Sequence, residues 1–142
     1  MLARTRGCRL ALCLLLALNA QIRSTLASTA SDSRVPIATE VWRRGDDGLT
    51  SNFYVAVQNA LERNSTFLLH FTDASLIFKV SIADHVMTAV NDGREQVLYT
   101  VEFSIKDSRE LGSLKGWCWI GELEDCANQV EIEATHLIRQ IR

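Results

Sequence analysis

The apolar and polar residues between positions 97 and 106 alternate, and this alternation constrains the fold more than any other feature of the 142-residue chain. The apolar side consists of Val97, Tyr99, Val101, Phe103 and Ile105. Such a pattern is typical of a strand with one face on the core and the other mostly in water. Asn91-Asp92-Gly93, just before it, is a strong turn signal, so the sequence predicts a hairpin of antiparallel strands here.

Further strands are predicted on both sides of this hairpin. Residues 66–71 and 76–90 are rich in residue types that favour strands, and the second stretch alternates at its start. Residues 110–119 return along the hairpin. Gly112 and Gly116 weaken this returning strand, and we expect a bulge there.

Two segments have the periodicity of amphipathic helices. The first follows the capping candidates Asp46-Asp47-Gly48 and runs from Leu49 to Arg63, and the second runs from Glu122 to Arg142. With residues 35–42 as a first strand, the predicted order is β-α-β-β-β-α. The sequence therefore predicts an α+β two-layer sandwich in which about four antiparallel strands carry two helices on one face.

Asn64 follows the first predicted helix at a position that suits a left-handed cap, which asparagine tolerates. The same residue begins Asn64-Ser65-Thr66, which matches the glycosylation sequon of secreted eukaryotic proteins. Because such short matches arise by chance, we interpret Asn64 as a cap.

The amino terminus has the pattern of a secretory signal peptide. No acidic residue occurs in residues 1–31, and three arginines precede the apolar run from Leu10 to Leu18. At ~1.5 Å per residue this run spans only about 14 Å as a helix, which is too short to cross a bilayer. The predicted cleavage follows Ala20, with Ala27 as the second choice.

The predicted organisation is therefore a signal peptide over residues 1–20, a flexible leader over 21–34 and a single α+β domain over 35–142. One domain is what a chain of 142 residues has room for. The Arg- and Ser-rich continuation of the leader leaves a mitochondrial transit peptide as the alternative, but the unbroken leucine-rich run favours export, to the periplasm or the medium.

Charge argues against two classes of partner. Removal of residues 1–20 takes away three arginines and no acid, which changes the formal charge from −2 to −5. No run of Lys or Arg follows Arg43-Arg44, so neither nucleic acid nor a polybasic contact with a membrane is predicted.

The cysteines divide between the signal peptide and the domain. Cys8 and Cys13 leave with the signal peptide, and neither stands directly after the apolar run, where a lipid-attachment cysteine would be needed. Cys118 and Cys126 remain as an exported pair, for which a disulfide is the default. The chain is therefore predicted to have no lipid anchor and no transmembrane segment after processing.

No motif for catalysis, cofactor binding or metal binding is present, so no residue is assigned to any of these roles. The chain has no G-x-S-x-G nucleophile elbow, no glycine-rich phosphate loop and no H-E-x-x-H pair. Asp84 and His85 are adjacent on a predicted strand, so their side chains are expected on opposite faces.

Trp117 and Trp119 are the one candidate binding patch. Alternation places both on one face of the returning strand, with Cys118 on the other. If the helices cover the Cys118 side, the two indoles form an exposed pair. The alternative, which we favour, is that one or both fold over the sheet edge into the core.

The layout of residues 36–142 resembles that of small bacterial envelope domains of the lipopolysaccharide-assembly and transporter-auxiliary lipoprotein type. The resemblance lies in the order of the helix Leu49–Arg63, the strands Leu76–Asp84 and Leu98–Lys106, Arg109-Glu110-Leu111-Gly112 and the final helix. It implies binding of envelope proteins or lipids rather than catalysis. The lipid-attachment cysteine of that group is missing, and no functional residue is carried over.

These observations predict a non-enzymatic exported module that binds another envelope component, a protein or a lipid-linked molecule. One alternative is a small hydrolase whose acid and base groups, such as Asp73, Asp84 and His85, assemble only in three dimensions. Another is a secreted inhibitor resembling cystatins. The Gln-x-Val-x-Gly signature of cystatins is not matched by residues 96–100, and cystatins have no closing helix.

Overall fold

The computed structural model describes residues 35–106 and 109–142, and the predicted signal peptide and leader lie outside these residues. The elements in chain order are β1 (Ile37–Arg43), α1 (Gly48–Glu62), β2 (Phe67–Leu68), β3 (Ile77–Ile82), β4 (Met87–Asn91), β5 (Arg94–Ile105), β6 (Arg109–Trp119) and α2 (Leu123–Ile141). The cleavage site and the leader stay predictions.

All six strands join one mixed sheet. β1 pairs in parallel with β2 and β3, while β3, β4 and β6 pair antiparallel with β5. The prediction of about four antiparallel strands was therefore wrong in number and in direction, although the α+β class holds. The alternation of apolar and polar residues indicates which residues share a face, but it does not indicate the direction of the neighbouring strand. Parallel neighbours require a crossover connection, which α1 provides here.

β3 and β4 follow one another along the same edge of β5. β3 pairs with residues 101–105 and β4 with residues 94–98, and β6 occupies the other edge over residues 96–105. Between them, residues 83–86 belong to no strand, although the amide of Ala83 still donates to the Thr100 carbonyl at 3.0 Å. The single strand-like stretch over residues 76–90 is thus two strands with an interruption.

Both helices cover the face of the sheet that carries Tyr99. The ring of Phe53 in α1 lies 4.8 Å from the Tyr99 ring, and the Tyr99 hydroxyl donates to Gln129 of α2 at 2.8 Å. The predicted apolar side of β5 is buried here, with Val97, Val101 and Phe103 fully inaccessible to solvent. The placement of two helices on one face is confirmed.

The turn and the bulge follow the prediction. Asn91 pairs with Arg94, which leaves Asp92 and Gly93 as a two-residue turn with φ of 51° and 73°. Positive φ at both positions is what a tight hairpin of right-twisted strands requires. In β6 the register shifts opposite Phe103 and Ser104, where Leu111 is the extra residue, next to Gly112.

Asn64 does not act as a left-handed cap. α1 ends at Glu62 with Arg63 in a right-handed conformation, and Asp92 is the only non-glycine residue with positive φ in the described part of the chain. Instead, the Asn64 amide donates to Glu131 and, at 3.2 Å, to the Thr135 hydroxyl, both on α2. The side chain joins the end of α1 to α2.

Candidate functional site

A disulfide between Cys118 and Cys126 joins the end of β6 to the first turn of α2, as predicted, with an S–S distance of 2.02 Å. Cys118 therefore points toward the helices. Its neighbours Trp117 and Trp119 point to the opposite face, because side chains alternate along a strand. The Trp117 side chain is 50% exposed, so the core interpretation fails for this residue.

The face of the sheet that the helices leave uncovered is called the open face below. It carries all three tryptophans of the chain. Trp42 of β1 pairs with Ser81 of β3, and Ser81 pairs with Glu102 of β5. Glu102 lies on the same face of the sheet as Trp117, so Trp42 lies on that face too. Sequence reasoning missed Trp42, and no sequence signal could have found it, because its position depends on the parallel pairing of β1.

Cations stack on two of these indoles. The Arg94 guanidinium lies 3.9 Å from the Trp119 ring centroid, and the Lys79 ammonium lies 4.9 Å from that of Trp42. Trp117 and Trp119 pack edge to face with centroids 5.5 Å apart. Cation–π and edge-to-face contacts hold these rings in fixed orientations.

A cleft of about 350 Å³ lies on the open face between the β3–β4 interruption and β6. Leu98 lines the cleft, and the sheet pairs Leu98 with Met87 on one side and Trp117 on the other. Asp84, His85 and Lys115 add charged groups to the lining. The cleft therefore combines an apolar row with a few polar side chains, as small-ligand and peptide sites do.

The structure brings Asp84 and His85 to the same cleft, contrary to the expectation that they face opposite sides. That expectation assumed a continuous strand, and residues 83–86 lie outside the strands. Asp73 lies elsewhere, in a second depression near Leu68 and Arg142. The three acid and base residues of the hydrolase alternative are therefore not assembled together.

His85 belongs to a hydrogen-bonded cluster at the amino end of α1. Asp47 caps this helix by accepting from the Thr50 amide at 2.9 Å and from its hydroxyl at 2.6 Å. His85 Nδ1 lies 2.7 Å from Asp47 Oδ2, and the Val86 amide donates to the Thr50 hydroxyl at 3.0 Å. These bonds fasten the β3–β4 interruption to α1.

The cluster shifts the pKa values of Asp47 and His85 in opposite directions. Hydrogen bonds from the Thr50 hydroxyl, the Thr50 amide and His85 hold the pKa of Asp47 well below its usual 3.8. The hydrogen bond to Asp47 raises the pKa of His85 above its usual 6.5, with smaller contributions from the charges of Asp46 and Asp84. His85 therefore carries more positive charge near neutral pH than an isolated histidine.

Gly45 leaves room for this imidazole. A Cβ atom at position 45 would lie 2.6 Å from His85 Nδ1, closer than a real Cβ approaches another heavy atom. The loop after β1 thus has to carry glycine here if His85 is to reach Asp47.

The described residues contain no group of three or more His, Cys, Asp or Glu side chains that could hold a metal ion. Within residues 35–106 and 109–142, neither helix is long and apolar enough to cross a membrane.

Comparison with known proteins gives only weak structural similarity. No family model matches the chain, and no curated protein matches it. Among solved structures, the fold is similar to a minor lipoprotein from Acinetobacter baumannii, with a TM-score of 0.38 and 11% identity over 72% of this chain and 94% of that one.

Proposed function

We propose that the chain is an exported binding module, not an enzyme, and that it binds another envelope component through the open face. The observation that carries this proposal is Trp117, a half-exposed indole that lines the cleft and packs against a second indole, on which Arg94 stacks. Rigid aromatic side chains beside a pocket are the usual anchors of binding surfaces.

Export is supported by the disulfide. Paired cysteines persist in oxidising compartments and are rare in the cytosol, so the Cys118–Cys126 bond agrees with the predicted signal peptide. The bond is buried, with Cys126 fully inaccessible, which suits a structural rather than a redox role.

Capture from an envelope extract tests the proposal. The immobilised protein is compared with Trp117→Ser and with Ile132→Ser, a control on α2 whose side chain is 65% exposed. A specific component should be retained by the wild type and the control, and lost from Trp117→Ser. Equal retention by all three proteins would contradict binding through the open face.

The His85–Asp47 pair favours a second candidate function, hydrolysis. An imidazole oriented by a carboxylate beside a cleft is the arrangement of a general base. However, the Thr50 hydroxyl donates to Asp47, not to His85, so it is not placed as a nucleophile. Turnover of a panel of ester and phosphoester substrates by the wild type but not by His85→Gln would support hydrolysis, and no turnover by the wild type would remove it.

A further inference from the structure

The outer edge of β6 is the longest free strand edge in the described part of the chain. β6 has 11 residues, whereas β2 and β4, which also lie at edges of the sheet, have 2 and 5. Within residues 35–106 and 109–142, β6 pairs only with β5. Such an edge presents backbone amides and carbonyls with which a further strand can pair.

Alternate residues of β6 direct their backbone groups to this outer edge. The Ile120 amide donates to the Glu95 carbonyl of β5 at 3.1 Å. In an antiparallel pair this orientation repeats at every second residue, so Cys118, Gly116 and Leu114 also face β5. The residues whose backbone groups face outward are Ser113, Lys115, Trp117 and Trp119.

The outer edge is accessible. Ser113, Lys115 and Trp117 are exposed, so α2 does not cover the strand here. The Trp119 carbonyl accepts from the Glu122 amide at 2.8 Å, in the turn that leads into α2. A strand that pairs with this edge therefore meets backbone groups from Ser113 to the Trp119 amide.

The geometry of β6 allows it to pair with a second copy of itself. The bulge at Leu111 and the end of the strand leave residues 113–119 as a regular segment. Two such segments can pair antiparallel about a two-fold axis at Gly116, and every residue of the segment then has a partner. In this register Lys115 lies opposite the partner's Trp117, and both side chains are on the open face.

Charge favours a second copy as the occupant of this edge. Lys115 is the only charged residue of the segment 113–119, and it meets the partner's indole instead of another lysine. A cation over an indole is attractive, as the Arg94–Trp119 contact illustrates in the same region. An axis at Lys115 would set two ammonium groups opposite each other, which is unfavourable, and an axis at Trp117 would leave the start of the segment unpaired.

We propose that two copies of the chain form a symmetric dimer in which their β6 strands pair antiparallel about Gly116. The two sheets then form one continuous sheet with both open faces on the same side. Because Lys115, Gly116 and Trp117 line the cleft, the clefts of the two copies adjoin at the axis. This inference goes beyond the proposed function, since it does not depend on which component the open face binds.

Sedimentation velocity over a range of concentrations tests the dimer, using the protein in the form that its host accumulates. The wild type should change from monomer to dimer as its concentration rises. Trp117→Lys should raise the dissociation constant at least about tenfold, because it sets a lysine opposite the partner's Lys115 twice in each dimer. Trp117→Glu is the matched control, and it should dimerise within about threefold of the wild type because it sets a carboxylate opposite the same lysine.

Both variants remove the same half-exposed indole, so they should melt at the same temperature. The double variant Lys115→Glu/Trp117→Lys should again dimerise, since it restores opposite charges across the axis. A wild type that is monomeric at every concentration, or equal dissociation constants for Trp117→Lys and Trp117→Glu, would overturn the proposal. A monomeric wild type that still captures an envelope component through Trp117 would refute the dimer and leave the proposed function standing.

Amide hydrogen exchange measured by NMR needs no variant. The amides of Lys115, Trp117 and Trp119 should exchange at least about tenfold more slowly at high protein concentration than at low, because they donate to the partner in the dimer. The amides of Leu114 and Gly116 face β5 and should be protected at both concentrations. Exchange of the outward amides that does not depend on concentration would also overturn the proposal.

Discussion

At the scale of single residues, the His85–Asp47 pair predicts how stability depends on pH. The pKa of His85 is raised on folding, so its stabilising contribution is complete below about 6.5 and is lost as the pH rises through the raised value. The pKa of Asp47 is lowered, so its contribution is present above about 3.8 and is lost only in strong acid. The cluster is therefore most stabilising between these limits.

The measurement is the melting temperature as a function of pH for wild type, His85→Gln and His136→Gln. His85→Gln should lose stability relative to wild type mainly below the raised pKa of His85, and the two curves should approach one another above it. His136→Gln, on the exposed side of α2, is the control and should follow the wild type. Parallel curves for wild type and His85→Gln would show that the pair contributes nothing that titrates.

Gly116 carries a second prediction at this scale. A Cβ atom at position 116 would collide with the Tyr99 ring, which lies across it from the neighbouring strand. Gly116→Ala should therefore destabilise the fold by about 1–3 kcal/mol through overpacking. Gly121→Ala, where a Cβ atom would meet nothing within 4 Å, should have little effect in the same denaturant titration.

At the scale of elements, α2 is predicted to stabilise the fold through its buried stripe. Val130, Ala134 and Ile138 are buried, and Leu137 is 9% exposed beside the solvent-facing His136. Leu137→Ala should cost about 2–5 kcal/mol of the free energy of unfolding, whereas His136→Ala should cost little. Equal, small effects of the two would mean that α2 does not pack as described.

The elements also show which features the periodicity of apolar residues predicts and which it does not. The α2 stripe and the buried side of β5 were predicted because each helical or strand period marks its own face. The parallel pairing of β1 was not, since it depends on the path of the chain through α1. The interruption at residues 83–86 was missed for a related reason: those residues look strand-like alone, and hydrogen bonds to α1 hold them out of the ladder.

At the scale of the whole molecule, we predict export from two features, the amino-terminal pattern of a signal peptide and the pairing of Cys118 with Cys126 near the carboxyl end. The basic residues before Leu10 and the apolar run to Leu18 predict removal of the signal peptide. Sequencing protein from the native host should find an amino terminus between Gln21 and Ser31. Recovery of chains that begin at Met1 in the cytosol, with Cys118 and Cys126 free, would refute export.

By itself, the sequence determined the α+β class, the tight turn at Asp92-Gly93, the buried faces of β5 and α2, and the pairing of Cys118 with Cys126. These features depend on local periodicity, turn chemistry and the small number of cysteines outside the predicted signal peptide. Only the tertiary structure decided the mixed sheet and the meeting of the three tryptophans on the open face. Those features bring together residues far apart in the chain, and their positions depend on strand pairing, which no local pattern specifies.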